Sequence, residues 1–173
     1  YETLSGTSMA TPATTGTLAL LQELHKNLNS GNVMKSATLK ALAIHTAREA
    51  GPGAGPDYMF GWGLLDAEHA AETLIEKDDQ NIFIEELILN DGEVVEFNLE
   101  PKENTKITAT LVWTDPAGPV QTPSLNPTTK MLMNDLDITL VDDGGTTQFP
   151  WKLDPTNPAT AATKGDNILD NVE

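Results

Sequence analysis

Apolar residues in the first half of the chain recur at helical intervals. Leu21, Leu24 and Leu28 share one face of an uninterrupted stretch from Ser8 to about Leu28, and Leu39, Leu42 and Ala43 share one within Ser36 to Ala47. The early part of the first stretch carries Ala10, Ala13, Gly16 and Ala19, small residues that suit a helix buried inside a domain. Asn29-Ser30-Gly31-Asn32 stops it. Gly51-Pro52-Gly53-Ala54-Gly55-Pro56 reads as loop. Asp66 is placed to cap a third helix through Leu74, with Glu68 and Glu72 in its early turns and Lys77 near its end, in line with the helix dipole.

After Asp78-Asp79 the period changes. Residues 82–89, 94–99, 106–113, 136–141 and 146–149 are short and rich in Ile, Val, Leu, Phe and Thr. Asn90-Asp91-Gly92, Pro101 to Asn104 and Asp142 to Gly145 separate them, which predicts an antiparallel sandwich. The domain boundary falls at Asp78 to Asn81, giving residues 1–77 and 78–173 as the two units. Asp115 to Lys130, with Pro116, Pro119, Pro123 and Pro127, reads as a long surface loop. Trp113, Phe97 and Phe149 are expected in the core.

Composition narrows the functional classes. Of 173 residues, 39% are apolar, and none of the apolar runs is long enough to cross a bilayer. The chain opens on Tyr1-Glu2-Thr3-Leu4-Ser5-Gly6, with neither a charged n-region nor an apolar h-region. It begins as if within a motif, so we expect it to be part of a longer protein. Cysteine is absent, which excludes disulfides, thiolate metal sites and a cysteine nucleophile. The net charge of −16 is uneven: residues 1–77 hold 8 acids and 5 bases, and residues 78–173 hold 18 acids and 5 bases. No basic footprint for nucleic acid or anionic membrane is present.

Chemistry concentrates in Gly6-Thr7-Ser8-Met9-Ala10-Thr11-Pro12. With Thr7 as N-cap, Ser8 lies at the first helical turn. Backbone N–H groups there have no intrahelical partner and the helix end is electropositive, so it can hold an oxyanion beside an attacking hydroxyl. Gly6 would let a substrate backbone approach. Pro12, a turn inside the helix, costs on the order of 3 kcal/mol, so stability alone would not select it. The string is not the Gly-x-Ser-x-Gly elbow, because Ala10 stands where glycine is required.

The complete string resembles the nucleophile motif of the subtilisin-like serine proteases, the subtilase family (peptidase S8). Gly61-Trp62-Gly63-Leu64-Leu65-Asp66-Ala67 is similar to the Gly-x-Gly segment that leads into that domain's closing helix. Ala13 departs from the pattern, since many members carry histidine there. The resemblance implies that residues 1–77 are the C-terminal portion of an α/β subtilisin-like catalytic domain. It also implies that Ser8 forms an acyl-enzyme on a protein or peptide substrate, with Gly6, Thr7 and Met9 in the substrate and oxyanion neighbourhood. An extracellular or cell-surface location follows from the family alone.

In that family the triad runs Asp, His, Ser along the chain, so both other members should precede Ser8. None of the seven residues before it is histidine. His25, 17 residues along the same helix, lies about 25 Å away at roughly 1.5 Å per residue. A base must come within about 3 Å of the hydroxyl. His45 and His69 sit on helices of their own and are expected at the surface or the core edge. Ser8 therefore awaits a base from an upstream part of the same protease, and residues 1–77 are expected to fold poorly alone.

Leu111-Val112-Trp113-Thr114-Asp115-Pro116, Asn134-Asp135-Leu136-Asp137-Ile138 and Asp166 to Glu173 resemble the C-terminal β-sandwich of some bacterial and archaeal subtilases, a jelly-roll relative of the P-domain. The expected fold class is thus mixed: a helical subtilisin-like portion followed by a partial, unfinished antiparallel jelly-roll-like β-sandwich. Asn134, Asp135, Asp137, Asp166, Asn171 and Glu173 offer the oxygen ligands that calcium prefers, and in a strand Asp135 and Asp137 would share a face. The competing expectation is a non-catalytic module, a calcium-stabilised sandwich for adhesion or binding attached to a protease remnant. The intact serine motif favours the enzyme.

Overall fold

The computed structural model describes residues 3–77, 82–101 and 105–173. The expected boundary at Asp78–Asn81, and most of the expected turn at Pro101–Asn104, lie outside them. Three helices form the first half: α1 Thr7–Leu28, α2 Ser36–His45 and α3 Ala67–Glu76. Leu21 of α1, Leu42 of α2, and Ala70 and Leu74 of α3 close a small core around Met34, flanked by Leu18, Leu24, Leu39, Ala71 and Ile84. Gln22 locks the α1–α2 connection to this core. Its amide donates to Met34 O and accepts from Met34 N, both at 2.9 Å.

Local chemistry sets each helix end. Ser30 adopts the left-handed conformation (φ 54°), and the Gly31 N–H returns to Lys26 O at 2.9 Å, closing the last turn of α1. The backbone N–H of Thr46 donates to Leu42 O, and its fully buried hydroxyl donates to the same oxygen at 2.8 Å. Arg48 then pairs with Leu64 through two backbone bonds of 2.8 and 2.9 Å, so α2 stops two residues short of the expected Ala47. That pairing needs Gly63, whose φ is +112° and whose Cβ would meet Arg48 O at 2.2 Å. Asp66 caps α3 as expected, accepting from His69 N at 3.1 Å, and also pairs with Arg48 Nε at 2.5 Å. Lys35 starts α2 without a side-chain cap of its own. Glu86 supplies one from 51 residues away, accepting from Lys35 N at 2.7 Å and from the Thr38 hydroxyl.

Two expectations for the first half are corrected. Gly6, not Thr7, is the N-cap of α1, and it makes no side-chain cap bond. The N-terminal half of α1 is not buried: Leu21 is its one buried residue, and Ala10, Ala13, Gly16 and Ala19 face solvent. Its small-residue face meets no sheet among the described residues.

The second half is less regular than its composition predicts. β1 Leu140–Val141 pairs antiparallel with β2 Thr147–Gln148 across the expected Asp142–Gly145 turn, and β3 Trp151–Lys152 pairs antiparallel with β4 Thr163–Lys164. Residues 82–89 and 94–99 are not strands. They leave the Asn90–Glu93 turn without a ladder, and Phe83 meets Phe97 edge to face at 5.0 Å. Residues 106–113 contribute a single bridge, Val112 to Val172. Trp113 is buried, but Phe97 and Phe149 are half exposed, because no second layer covers them among the described residues. A closed sandwich is absent from the described elements.

The two halves touch at several points. Gly55 lies under the Trp151 ring, where a Cβ would come within 2.7 Å, and Lys164 Nζ sits 3.7 Å from the centre of the same ring. Lys40 Nζ donates to Asn171 Oδ1 at 3.0 Å.

Leu74 is 1% exposed and Leu20 is 68% exposed. Leu74→Ala should cost about 2–5 kcal/mol in a urea melt, and Leu20→Ala no more than about 0.5 kcal/mol. Equal losses would show that the three-helix core does not hold the fold.

Candidate functional site

Ser8 is the second residue of α1 and is exposed. Gly6 reaches the helix with φ 151° and ψ 175°, in the region that favours glycine, and open space surrounds it. Its carbonyl accepts from Met9 N at 3.0 Å and Ala10 N at 3.2 Å, which leaves the N–H groups of Thr7 and Ser8 unused by the helix. The first turn contains no acidic residue, so in a chain of net charge −16 this tip keeps its positive potential. Pro12 has no N–H to give to the Ser8 carbonyl. Thr11 donates its hydroxyl back to Thr7 O at 2.9 Å, and Thr15 does the same to Thr11 O at 3.0 Å. Among the described residues nothing hydrogen-bonds Ser8 Oγ.

No described base reaches this hydroxyl. His25 lies near the far end of α1, on a cavity of about 240 Å³ shared with Asn29, Lys77 and Glu86. Burial, then the Lys77 charge, holds its imidazole below the usual histidine range. The exposed His45 lies 3.0 Å from the Thr110 hydroxyl, and the exposed His69 lies 3.2 Å from Thr46 O. A second cavity, of about 220 Å³, lies between Tyr58 and Leu153. Ser8 lines neither cavity.

The oxygen-bearing residues of the second half separate into two groups. Asp137, Asp166 and Glu173 each bring a carboxylate oxygen within 4.8 Å of the others. The other three are engaged elsewhere. Asp135 pairs with Lys130 at 2.7 Å, and Asn134 donates its side-chain amide to Asp115 at 2.9 Å. Asn171 accepts from Lys40 and donates to Trp113 O at 2.5 Å. Residues 135–139 form no strand, so alternation does not pair Asp135 with Asp137 on a sheet face. Glu173 is 5% exposed. Its Oε2 accepts from Ile138 N at 2.7 Å, and its buried Oε1 has no hydrogen-bond partner among the described residues. Burial pushes the Glu173 carboxyl up to about 7, the Ile138 N–H opposes the shift, and Asp137 and Asp166 add to it. Asp137 is likewise raised, by desolvation and then by Asp166 and Asp135.

The model of peptidase S8, the subtilase family, matches residues 1–63. That match takes in the Gly6–Pro12 string and ends at Gly63. The Neisserial autotransporter lipoprotein NalP of Neisseria meningitidis serogroup B strain MC58 is 39% identical over 67 residues, which is 39% of this chain and 6% of NalP. The protein of the same name from strain H44/76 matches to the same extent. The chain thus spans about 6% of the length of these curated relatives. No solved structure matches it.

Two structural carboxylates escaped the sequence reading. Asp115 accepts from Met133 N at 2.7 Å and from Asn134 N at 2.9 Å, closing the base of the proline-rich loop. These contacts hold its carboxyl below the ordinary range, the Met133 bond most strongly. Its place just before Pro116 was the available signal. Glu86 carries no local signal, because the helix it caps lies 51 residues earlier.

The raised Glu173 favours its protonated form in the folded state. Its contribution is therefore largest below the ordinary value of 4.5 and is lost as pH rises through about 7. In chelator, the stability of the wild type relative to Glu173→Gln should fall between about pH 5 and about pH 8, as read by urea melts. A difference independent of pH would mean that this carboxyl is not desolvated.

Proposed function

We propose that this chain carries the nucleophile of a subtilisin-like serine endopeptidase, Ser8, which forms an acyl-enzyme with a protein or peptide substrate. The triad Asp and His, and the side chain that completes the oxyanion hole, come from polypeptide upstream of it. The observation that carries this reading is the intact Gly6–Pro12 motif at an exposed helix tip free of acidic residues, within the segment that matches the subtilase family. In the complete site the free N–H of Ser8 faces the oxyanion, and the base takes the proton from Oγ. The exposed small-residue face of α1 is the surface on which the remainder of the catalytic domain packs. The second half is read as part of an accessory jelly-roll-like β-sandwich. A surface or extracellular location is supported by the relative's description as an autotransporter lipoprotein.

Without a base the Ser8 hydroxyl is a weak nucleophile. The purified chain should neither turn over a chromogenic peptide nor label with a fluorophosphonate, and labelled Ser8 would refute its dependence on upstream residues. In a longer protein that supplies Asp and His, Ser8→Ala should lower kcat by about 10⁶-fold. Retained turnover there would remove Ser8 from the mechanism.

A further inference from the structure

We infer that the cavity between Tyr58 and Leu153 is a docking site for an arginine side chain of a partner polypeptide. Tyr58 belongs to the first half, and every other wall residue belongs to the second. The cavity measures about 220 Å³. Small-molecule sites run from roughly 300 to 1,000 Å³, so this one suits a single side chain better than a whole cofactor.

Three observations carry the assignment. The wall is apolar and its aromatic member is held in place. Pro127, Leu153, Pro155 and Leu169 line it beside Tyr58. Tyr58 sits on a tight turn in which Asp57 and Gly61 exchange two backbone bonds of 2.9 Å, and Asp57 Oδ1 accepts from Met59 N at 2.7 Å and Phe60 N at 2.6 Å. Tyr58 is nevertheless half exposed, which leaves it open to an incoming group. The charge at the cavity is of one sign. Asp170 lines it, and Asp154 lies between two of its wall residues, Leu153 and Pro155. Neither aspartate forms a salt bridge among the described residues. Burial, then Asp154 and Asp170, hold the Tyr58 hydroxyl above the usual tyrosine range, so both charges act on a group in this cavity. Each carboxylate is also fixed by its own stretch of chain. Asp154 Oδ1 accepts from Thr156 N at 2.9 Å and from the Thr156 hydroxyl at 2.6 Å, and Asp170 Oδ1 accepts from Val172 N at 3.1 Å. The negative charge is therefore in place before a ligand arrives.

These walls select the ligand. An apolar lining beside negative charge suits a long aliphatic stem that ends in a cation. An anion would be repelled by Asp154 and Asp170, and by a half of the chain with 18 acids and 5 bases. A neutral apolar group would desolvate Asp170 and give it no partner. Arginine fits better than lysine, because its planar guanidinium stacks on a tyrosine ring and offers carboxylates a fork of donors. Met59 and Phe60, next to Tyr58 in the chain and exposed, add apolar surface for the residues that flank the arginine. This inference does not depend on Ser8 or on proteolysis.

The test is a titration of the 173-residue chain with the capped tripeptide acetyl-Leu-Arg-Leu-amide, followed by NMR of the Leu153 and Leu169 methyl groups. Those methyls should shift with a Kd of about 1 mM that weakens as salt rises. The same peptide with citrulline in place of arginine, similar in shape and uncharged, should move neither. Asp170→Asn should weaken binding about fivefold and Tyr58→Leu about threefold, while Asp143→Asn, an equal charge change in the β1–β2 turn, should leave it intact. Methyl signals that stay in place would overturn the site. So would equal shifts with the citrulline peptide, or equal weakening by Asp170→Asn and Asp143→Asn, which would reduce the effect to the general negative field of the chain.

Discussion

The contact between α1 and α3, with Leu21 set against Ala70 and Leu74, governs how the first half can present its chemistry. It holds α1 through Leu18, Leu21 and Leu24 and leaves the N-terminal turns exposed. Because α1 is one unbroken helix, the position of Ser8 is dictated by residues on the order of 20 Å away. Gln22, bonded to both polar groups of Met34, prevents the α1–α2 connection from moving independently of this anchor. The Ser8 end is thus aimed by a rigid rod and by almost nothing local among the described residues.

Much of this was legible in the residues. Spacing of Leu21, Leu24, Leu39 and Leu42 located the first two helices, and the Asp66 cap located the third, because helix signals are local. The Gly6–Pro12 motif was legible for the same reason. The expected burial of the small-residue face was not found, since burial depends on a packing surface and no described residue supplies one. Strands in residues 82–99 also failed. Alternating Val, Ile, Leu and Phe describe a face that would pack, but a ladder needs a neighbour at the right register, and none is present among the described residues. Phe83 and Phe97 find each other and leave much of their surface in water.

The six oxygen-bearing residues of the second half show the same limit. Sequence spacing suggested that Asp135 and Asp137 act together. Instead, Lys130 draws Asp135 aside, and the tertiary course of the chain brings in Asp166 and Glu173. The acidic and amide residues were readable from composition, and their grouping was set by long-range topology. Asp115 and Glu86 make the same point: each carboxylate's role is fixed by backbone donors brought to it by the fold.

Glu86 has one more implication. It serves α2 as the terminal acceptor that Lys35 lacks, yet it belongs to the stretch after the expected boundary between the two sequence units. Ile84 from the same stretch leans on the helical core. The natural seam of the molecule therefore does not coincide with the change in hydrophobic period. A dissection made at that change would strip α2 of the Glu86 acceptor at Lys35 and the core of a flank, whereas one made after residue 86 would keep both.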